Sequence, residues 1–198
     1  RNDALFNVKK EEILYIKNKL NLPIDKKIIL YAPTWRDSYN KGKTYEIKPP
    51  IDINMWENKL GKNYILLLRT HPYTNKLLGV NFNNFVLDYT NYPDINDLLK
   101  ITDILISDYS ATIFDFSILE RPIICFAYDY ENYKSERGFT LNLFDEFPGG
   151  IKFNETEVIN SICSCDFQFE QKQISNFKNK FIMYGGKATE LCIEALES

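Results

Sequence analysis

Short unbroken apolar runs, each closed by a polar cluster, alternate along this chain with segments whose apolar residues recur at helical spacing. Lys10 to Leu20 places Ile13, Leu14, Ile16 and Leu20 on one helical face, and Asn21-Leu22-Pro23 stops it. Lys27-Ile28-Ile29-Leu30-Tyr31 reads as a strand ending in Ala32-Pro33-Thr34-Trp35, with a polar loop from Arg36 to Lys48 after it. Asp52 caps a predicted helix running to Leu60 and closed by Gly61. Tyr64 to Leu68 and Phe85-Val86-Leu87 are the next strands, and Asp94 to Ile101 is a short helix. Ile104 to Ser107 is a fourth strand, Ala111 to Leu119 a helix, and Pro122 to Ala127 a fifth strand. Tyr128 to Gly150 reads as loop, followed by helical segments near Glu155 to Cys163 and Phe167 to Leu196.

Strands that alternate with helices, and that are apolar throughout rather than at every second residue, predict an α/β fold. Its parallel sheet is covered on both faces. Ligands of such sheets bind outside the C-terminal strand ends. Here those ends carry Thr34-Trp35-Arg36, Arg69-Thr70-His71 and Ser107-Asp108-Tyr109-Ser110. The last of these opens a helix, where the first N–H groups lack intrahelical partners and the dipole favours an anion. Ser110 and Thr112 therefore read either as phosphate ligands or as plain helix-capping residues.

Most of the other polar residues of this rim have two readings. His71, the single histidine of the chain, is a functional group at a strand end or an imidazole tucked into a loop. Arg69 clamps a phosphate or holds a structural carboxylate, and Arg36 pairs with Asp37 or reaches a ligand anion. Thr34 sits beside Trp35, which reads as packing. Asp94 is most simply a helix cap, and both it and Thr34 are carried as substrate-binding candidates. Asp97 accepts from ribose hydroxyls or belongs to a solvated face, and Asp108 orients the loop or pairs with an arginine. Asp115 reads as structural. Arg137, before Gly138, is a second phosphate ligand or part of a surface turn.

Composition narrows the classes. The 198 residues fit one domain, with 44% hydrophobic and 26% charged residues and a net charge of −3. That balance argues against nucleic-acid binding. No run reaches the roughly 18 apolar residues of a membrane span. Four cysteines and one histidine give no zinc spacing, and they read as reduced thiols of a cytosolic protein. No Walker A loop, GxGxxG or GxSxG occurs, and no residue cluster calls for a metal or cofactor.

The ordered set of motifs resembles one family. Arg1-Asn2-Asp3-Ala4-Leu5-Phe6, Tyr31-Ala32-Pro33-Thr34-Trp35-Arg36-Asp37, Arg69-Thr70-His71-Pro72 and Tyr92-Pro93-Asp94-Ile95-Asn96-Asp97-Leu98-Leu99 come first. Ile106-Ser107-Asp108-Tyr109-Ser110, Phe126-Ala127-Tyr128-Asp129, Glu136-Arg137-Gly138-Phe139 and Phe147-Pro148-Gly149 follow in the same order. Together they resemble the C-terminal half of the CDP-glycerol glycerophosphotransferases, which include teichoic-acid primases and polymerases and related capsule polymerases.

The resemblance implies a GT-B arrangement of two Rossmann-like domains. This chain would be a single CDP-alditol-binding domain, with C-terminal helices from about residue 155, and an N-terminal domain would lie elsewhere in the same polypeptide. It implies transfer of glycerol phosphate or ribitol phosphate from CDP-glycerol or CDP-ribitol to a polymer or lipid-linked acceptor, with release of CMP. The donor diphosphate would lie near His71 and Ser110. The family's second serine falls on Ala111, with Thr112 beside it, and its usual Asp-Gly pair falls on Gly185-Gly186. The acceptor-side base would sit on the other domain. The implied location is the cytoplasm, peripheral at the inner face of the bacterial membrane. The alternatives are a nucleotide-sugar glycosyltransferase or epimerase domain, and a non-catalytic anion-binding module.

Overall fold

The computed structural model describes residues 2–34, 50–70 and 79–197. Among these residues six parallel strands form one sheet: β1 (Lys27–Tyr31), β2 (Tyr64–Leu68), β3 (Val86–Asp88), β4 (Ile104–Ser107), β5 (Ile123–Phe126) and β6 (Ile151–Lys152). Their order is β3-β2-β1-β4-β5-β6. This is the Rossmann order, with its switch point between β1 and β4. The predicted doubly wound α/β class is the observed one.

Successive side chains of a strand face opposite sides, and β1 shows what that does here. Ile28 and Leu30 join one core, and Ile29 and Tyr31 join the other. The first core is covered by α1 (Lys10–Lys19), α3 (Ile95–Ile101), α4 (Thr112–Ser117) and α8 (Phe167–Phe181). The second is covered by α2 (Ile53–Leu60) and α7 (Glu155–Cys163), through Trp56, Leu60, Val158 and Ile162. Each fully buried aliphatic side chain contributes roughly 1.5–3 kcal/mol. The unbroken apolar character of these strands is thus the cost of exposure avoided on both faces. Glu155 ties the second layer together, accepting from Trp56 Nε1 at 3.0 Å and from the Asp52 amide at 2.7 Å.

Several boundaries differ from the sequence reading. The predicted loop 128–150 contains α5 (Tyr130–Glu136) and α6 (Leu143–Glu146), and β6 follows it. β6 is two residues long and partly exposed, too short to leave a periodic signal. The predicted helix Phe167 to Leu196 is two helices, α8 and α9 (Ala188–Glu197). They are separated around Gly185 and Gly186, and Gly186 holds a φ of +76°. The helix predicted over Ala111 to Leu119 is the shorter α4. It gives way to a turn ending at Glu120, which holds a φ of +52°. Gly61 closes α2 in a right-handed conformation. Its requirement is space, since a Cβ there would lie 2.7 Å from the Glu57 carbonyl oxygen. All four cysteines are free thiols, and burial pushes the Cys125 thiol far up.

Candidate functional site

The register brings three strand ends level. Tyr31 lies opposite Leu68 on one side and Ile106 on the other. The chain therefore leaves β1, β2 and β4 side by side, at Ala32-Pro33-Thr34, Arg69-Thr70 and Ser107-Asp108. The switch point is knitted by direct bonds. Ser107 Oγ donates to the Ala32 carbonyl at 2.7 Å, and the Ala32 amide donates to the Ile106 carbonyl at 2.9 Å. Asp108 is 1% exposed. Its Oδ1 accepts the Thr34 amide at 2.7 Å and the Tyr109 amide at 2.6 Å. Among the described residues these bonds show Asp108 orienting the loop.

The turn after β4 is held from a third side. Tyr109 donates its hydroxyl to Asp129 Oδ1 at 3.1 Å, and Asp129 is buried beyond the end of β5. The Tyr109 ring packs on Tyr133 and Phe139, with centroids 4.0 and 5.0 Å away. The sequence reading assigns Asp129 no role, although an acid just beyond an apolar strand is a usable signal.

At the mouth of α4, Ser110 Oγ accepts the Thr112 amide at 3.2 Å and lies 3.0 Å from Thr112 Oγ1. The Ile113 and Phe114 amides donate to the carbonyls of Ser110 and Ala111. The first amides of α4 therefore bond within the turn, and the capping reading of Ser110 describes its bond to Thr112. Ala111 is exposed and supplies no side-chain cap. The turn thus carries a pair of adjacent, half-buried hydroxyls next to Asp108 and Tyr109.

The remaining predicted residues fall into separate groups. Arg69 Nη1 donates to the Tyr92 carbonyl at 2.5 Å and to the Tyr89 carbonyl at 3.3 Å. It thereby holds the segment after β3 against β2. Burial lowers its pKa, opposed by the nearby Asp94 carboxylate. Asp94 caps α3 through the Asn96 amide at 2.9 Å. Asp97 accepts the Tyr92 hydroxyl at 2.8 Å and faces Lys19 Nζ at 3.5 Å, which links α3 to the end of α1. Arg137 is exposed at the C-terminal end of α5, before Gly138 with its φ of +69°. His71 and Arg36 lie outside the described residues. The structure thus brings Thr34, Asp108, Ser110 and Thr112 to the switch point, groups Arg69, Asp94 and Asp97 around Tyr92, and sets Arg137 on another loop. Among the described residues no group of three His, Cys, Asp or Glu side chains is placed to hold a metal ion.

Residues 1–197 match the family described as CDP-Glycerol:Poly(glycerophosphate) glycerophosphotransferase. The chain belongs to this family. It is 39% identical to a teichoic acid poly(glycerol phosphate) polymerase of Staphylococcus epidermidis, over 96% of this chain and 28% of that protein. It is also 39% identical to a teichoic acid glycerol-phosphate transferase of Staphylococcus aureus, over 92% of this chain and 45% of the relative. A solved structure of the wall teichoic acid polymerase TagF superposes with a TM-score of 0.82 at 37% identity, covering 99% of this chain and 50% of TagF. Another is a TagF variant soaked with CDPG, again at a TM-score of 0.82. The chain therefore spans half or less of the length of these relatives. The Anabaena protein HepE, solved with UDP and glucose, matches at a TM-score of 0.57 and 14% identity, and shares the fold. No helix among the described residues is long and apolar enough to cross a membrane.

Proposed function

We propose that this chain is the donor-binding domain of a transferase. The enzyme moves glycerol phosphate, or ribitol phosphate, from a CDP-activated donor to a hydroxyl of a growing cell-surface polymer. The observation that carries the reading is the hydroxyl-bearing turn at the switch point, where Ser110 and Thr112 stand beyond a buried Asp108 bonded to both flanking loops. Its position is where α/β sheets bind nucleotides, and membership of a glycerophosphotransferase family supports the chemistry.

In this reading the acceptor hydroxyl attacks the donor phosphorus that carries the alditol. A new P–O bond forms, the bond to the bridging oxygen breaks, and CMP leaves with that oxygen. The acceptor's proton passes to a base outside these residues. Phosphoryl transfer needs chiefly positioning and charge stabilisation. Ser110 and Thr112 donate to diphosphate oxygens, with Thr34 beside them, and His71 stabilises the developing charge. Arg36 and Arg137 supply further positive charge for the anion. Arg69, Asp94 and Asp97 shape the wall around Tyr92. The acceptor is a polymer or lipid-linked chain, and the full-length protein works at the inner face of the membrane.

Calorimetric titration of this chain with CDP-glycerol, CDP-ribitol and UDP-sugars tests the reading. Binding of a CDP-alditol that His71→Ala weakens is the expected result, with no polymer made by these residues alone. Binding of UDP-sugars only would move the domain to the sugar transferases. Transfer activity that survives His71→Ala in the full-length protein would leave only an anion-binding module.

A further inference from the structure

Among the described residues, the N-terminal turn reaches the helix behind Ser110 through a side-chain hydrogen bond. Asn2 Nδ2 donates to Asp115 Oδ1 at 2.5 Å. Asp115 is 7% exposed and lies on α4, one turn beyond Thr112. The same N-terminal segment is fixed at two further points. The Asp3 carboxylate accepts from the Ala188 amide at 3.4 Å and the Thr189 hydroxyl at 3.5 Å, at the start of α9. The Phe6 ring lies against Gly185 and Gly186. Leu5, between these contacts, is buried in the same core as Ile113 and Phe116 of α4.

α4 has six residues and no side-chain cap at Ala111. A helix that short has little stability of its own, so its orientation depends on what its side chains touch. Ile113 and Phe116 bind it to the sheet, but apolar contact is non-directional. A hydrogen bond to a carboxylate is directional and about twice as strong as a neutral one. The bond from Asn2 to Asp115 therefore restrains rotation of α4 about its own axis. Rotation of α4 is what would swing Ser110 and Thr112 away from the switch point.

We infer that Asn2 is a positioning residue: through Asp115 it sets the direction in which the Ser110 turn presents its hydroxyls. The inference rests on the reading of that turn as the donor's diphosphate site, and it adds the N-terminal turn to the machinery of that site. It also gives the Arg1-Asn2-Asp3-Ala4-Leu5-Phe6 motif a physical role that substrate contact does not supply.

The test compares the wild-type chain with Asn2→Ala, Asn2→Asp and the reciprocal pair Asn2→Asp with Asp115→Asn. Two measurements are made: hydrogen exchange at the Ile113 to Leu119 amides, and calorimetric affinity for CDP-glycerol. Asn2→Ala is expected to weaken CDP-glycerol about tenfold and to speed α4 exchange by a similar factor. Asn2→Asp alone, which sets carboxylate against carboxylate, is expected to do more. The reciprocal pair restores an amide-to-carboxylate bond in the opposite sense and is expected to recover both readouts. A fall in melting temperature with α4 exchange and affinity unchanged would mark a merely structural contact and overturn the inference, as would failure of the reciprocal pair to recover them. If the wild-type chain bound no CDP-glycerol, the donor reading would fall. The exchange rates would still decide whether Asn2 holds α4, and unchanged rates would overturn the inference as well.

Discussion

The amide of Thr34 meets the carboxylate of Asp108 at 2.7 Å, across the switch point of the sheet. One buried oxygen thus fixes the loop leaving β1 to the turn leaving β4, since it also accepts the Tyr109 amide. Asp108→Ala is expected to leave two amides without their acceptor and to lower stability by about 3 kcal/mol. The same substitution releases the Ser110 turn, so affinity for CDP-glycerol falls with it. Urea denaturation and calorimetry on one preparation check both, and unchanged affinity would separate Asp108 from the donor site.

Arg69 makes the opposite kind of prediction. Its guanidinium donates to the Tyr89 and Tyr92 carbonyls, so Arg69→Met is expected to cost about 2 kcal/mol of stability. The loss is read as a lower urea midpoint at an unchanged denaturant slope. A variant as stable as the wild type but unable to bind CDP-glycerol would instead make Arg69 a direct ligand of the anion.

Gly185 meets Phe6 without room for a side chain, because a Cβ would lie 2.2 Å from the Phe6 ring edge. Gly185→Ala is expected to destabilise the chain by about 1–3 kcal/mol, through overpacking. Phe6→Leu in the same chain should recover part of that loss. A double-mutant cycle on melting temperatures reads the coupling, and strictly additive effects would show that the two residues do not press on each other.

Glu120 and Lys178 form an ion pair between the end of the α4 turn and α8. The hydrogen bond from Lys178 holds the Glu120 carboxyl below its ordinary value of 4.5, against a smaller opposing effect of burial. A carboxyl with a lowered folded-state pKa stabilises the fold above its unfolded value, and that contribution is lost as pH falls through the folded one. Lys178→Met is therefore expected to lower the melting temperature at pH 7, and the gap to the wild type should close as pH drops below about 4.5. A gap independent of pH would point to lost packing of the lysine stem.

The strands and the first helices were legible because each is long or apolar enough to announce its period. Ile65 to Leu68 and Ile104 to Ile106 have no polar interruption, and Asp52 and Asp94 sit as caps where an acid precedes an apolar stretch. The rest carried weaker signals. Leu143–Glu146 is a single helical turn, and β6 has only Ile151 and Lys152. The break between α8 and α9 lay in Gly185-Gly186, which read locally as motif variation rather than as a stop.

Local order alone determined that this chain makes a covered parallel sheet and that its polar residues gather at strand ends, because burial on two faces and turn chemistry are written residue by residue. It also carried the motif series by which the family is recognised. Only tertiary packing decided which of those ends adjoin. Strand order placed Thr34 beside Asp108, a contact 74 residues apart in sequence, and carried Asn2 to Asp115 across 113. Such contacts depend on how helices close over a sheet, and no window of sequence contains that distance.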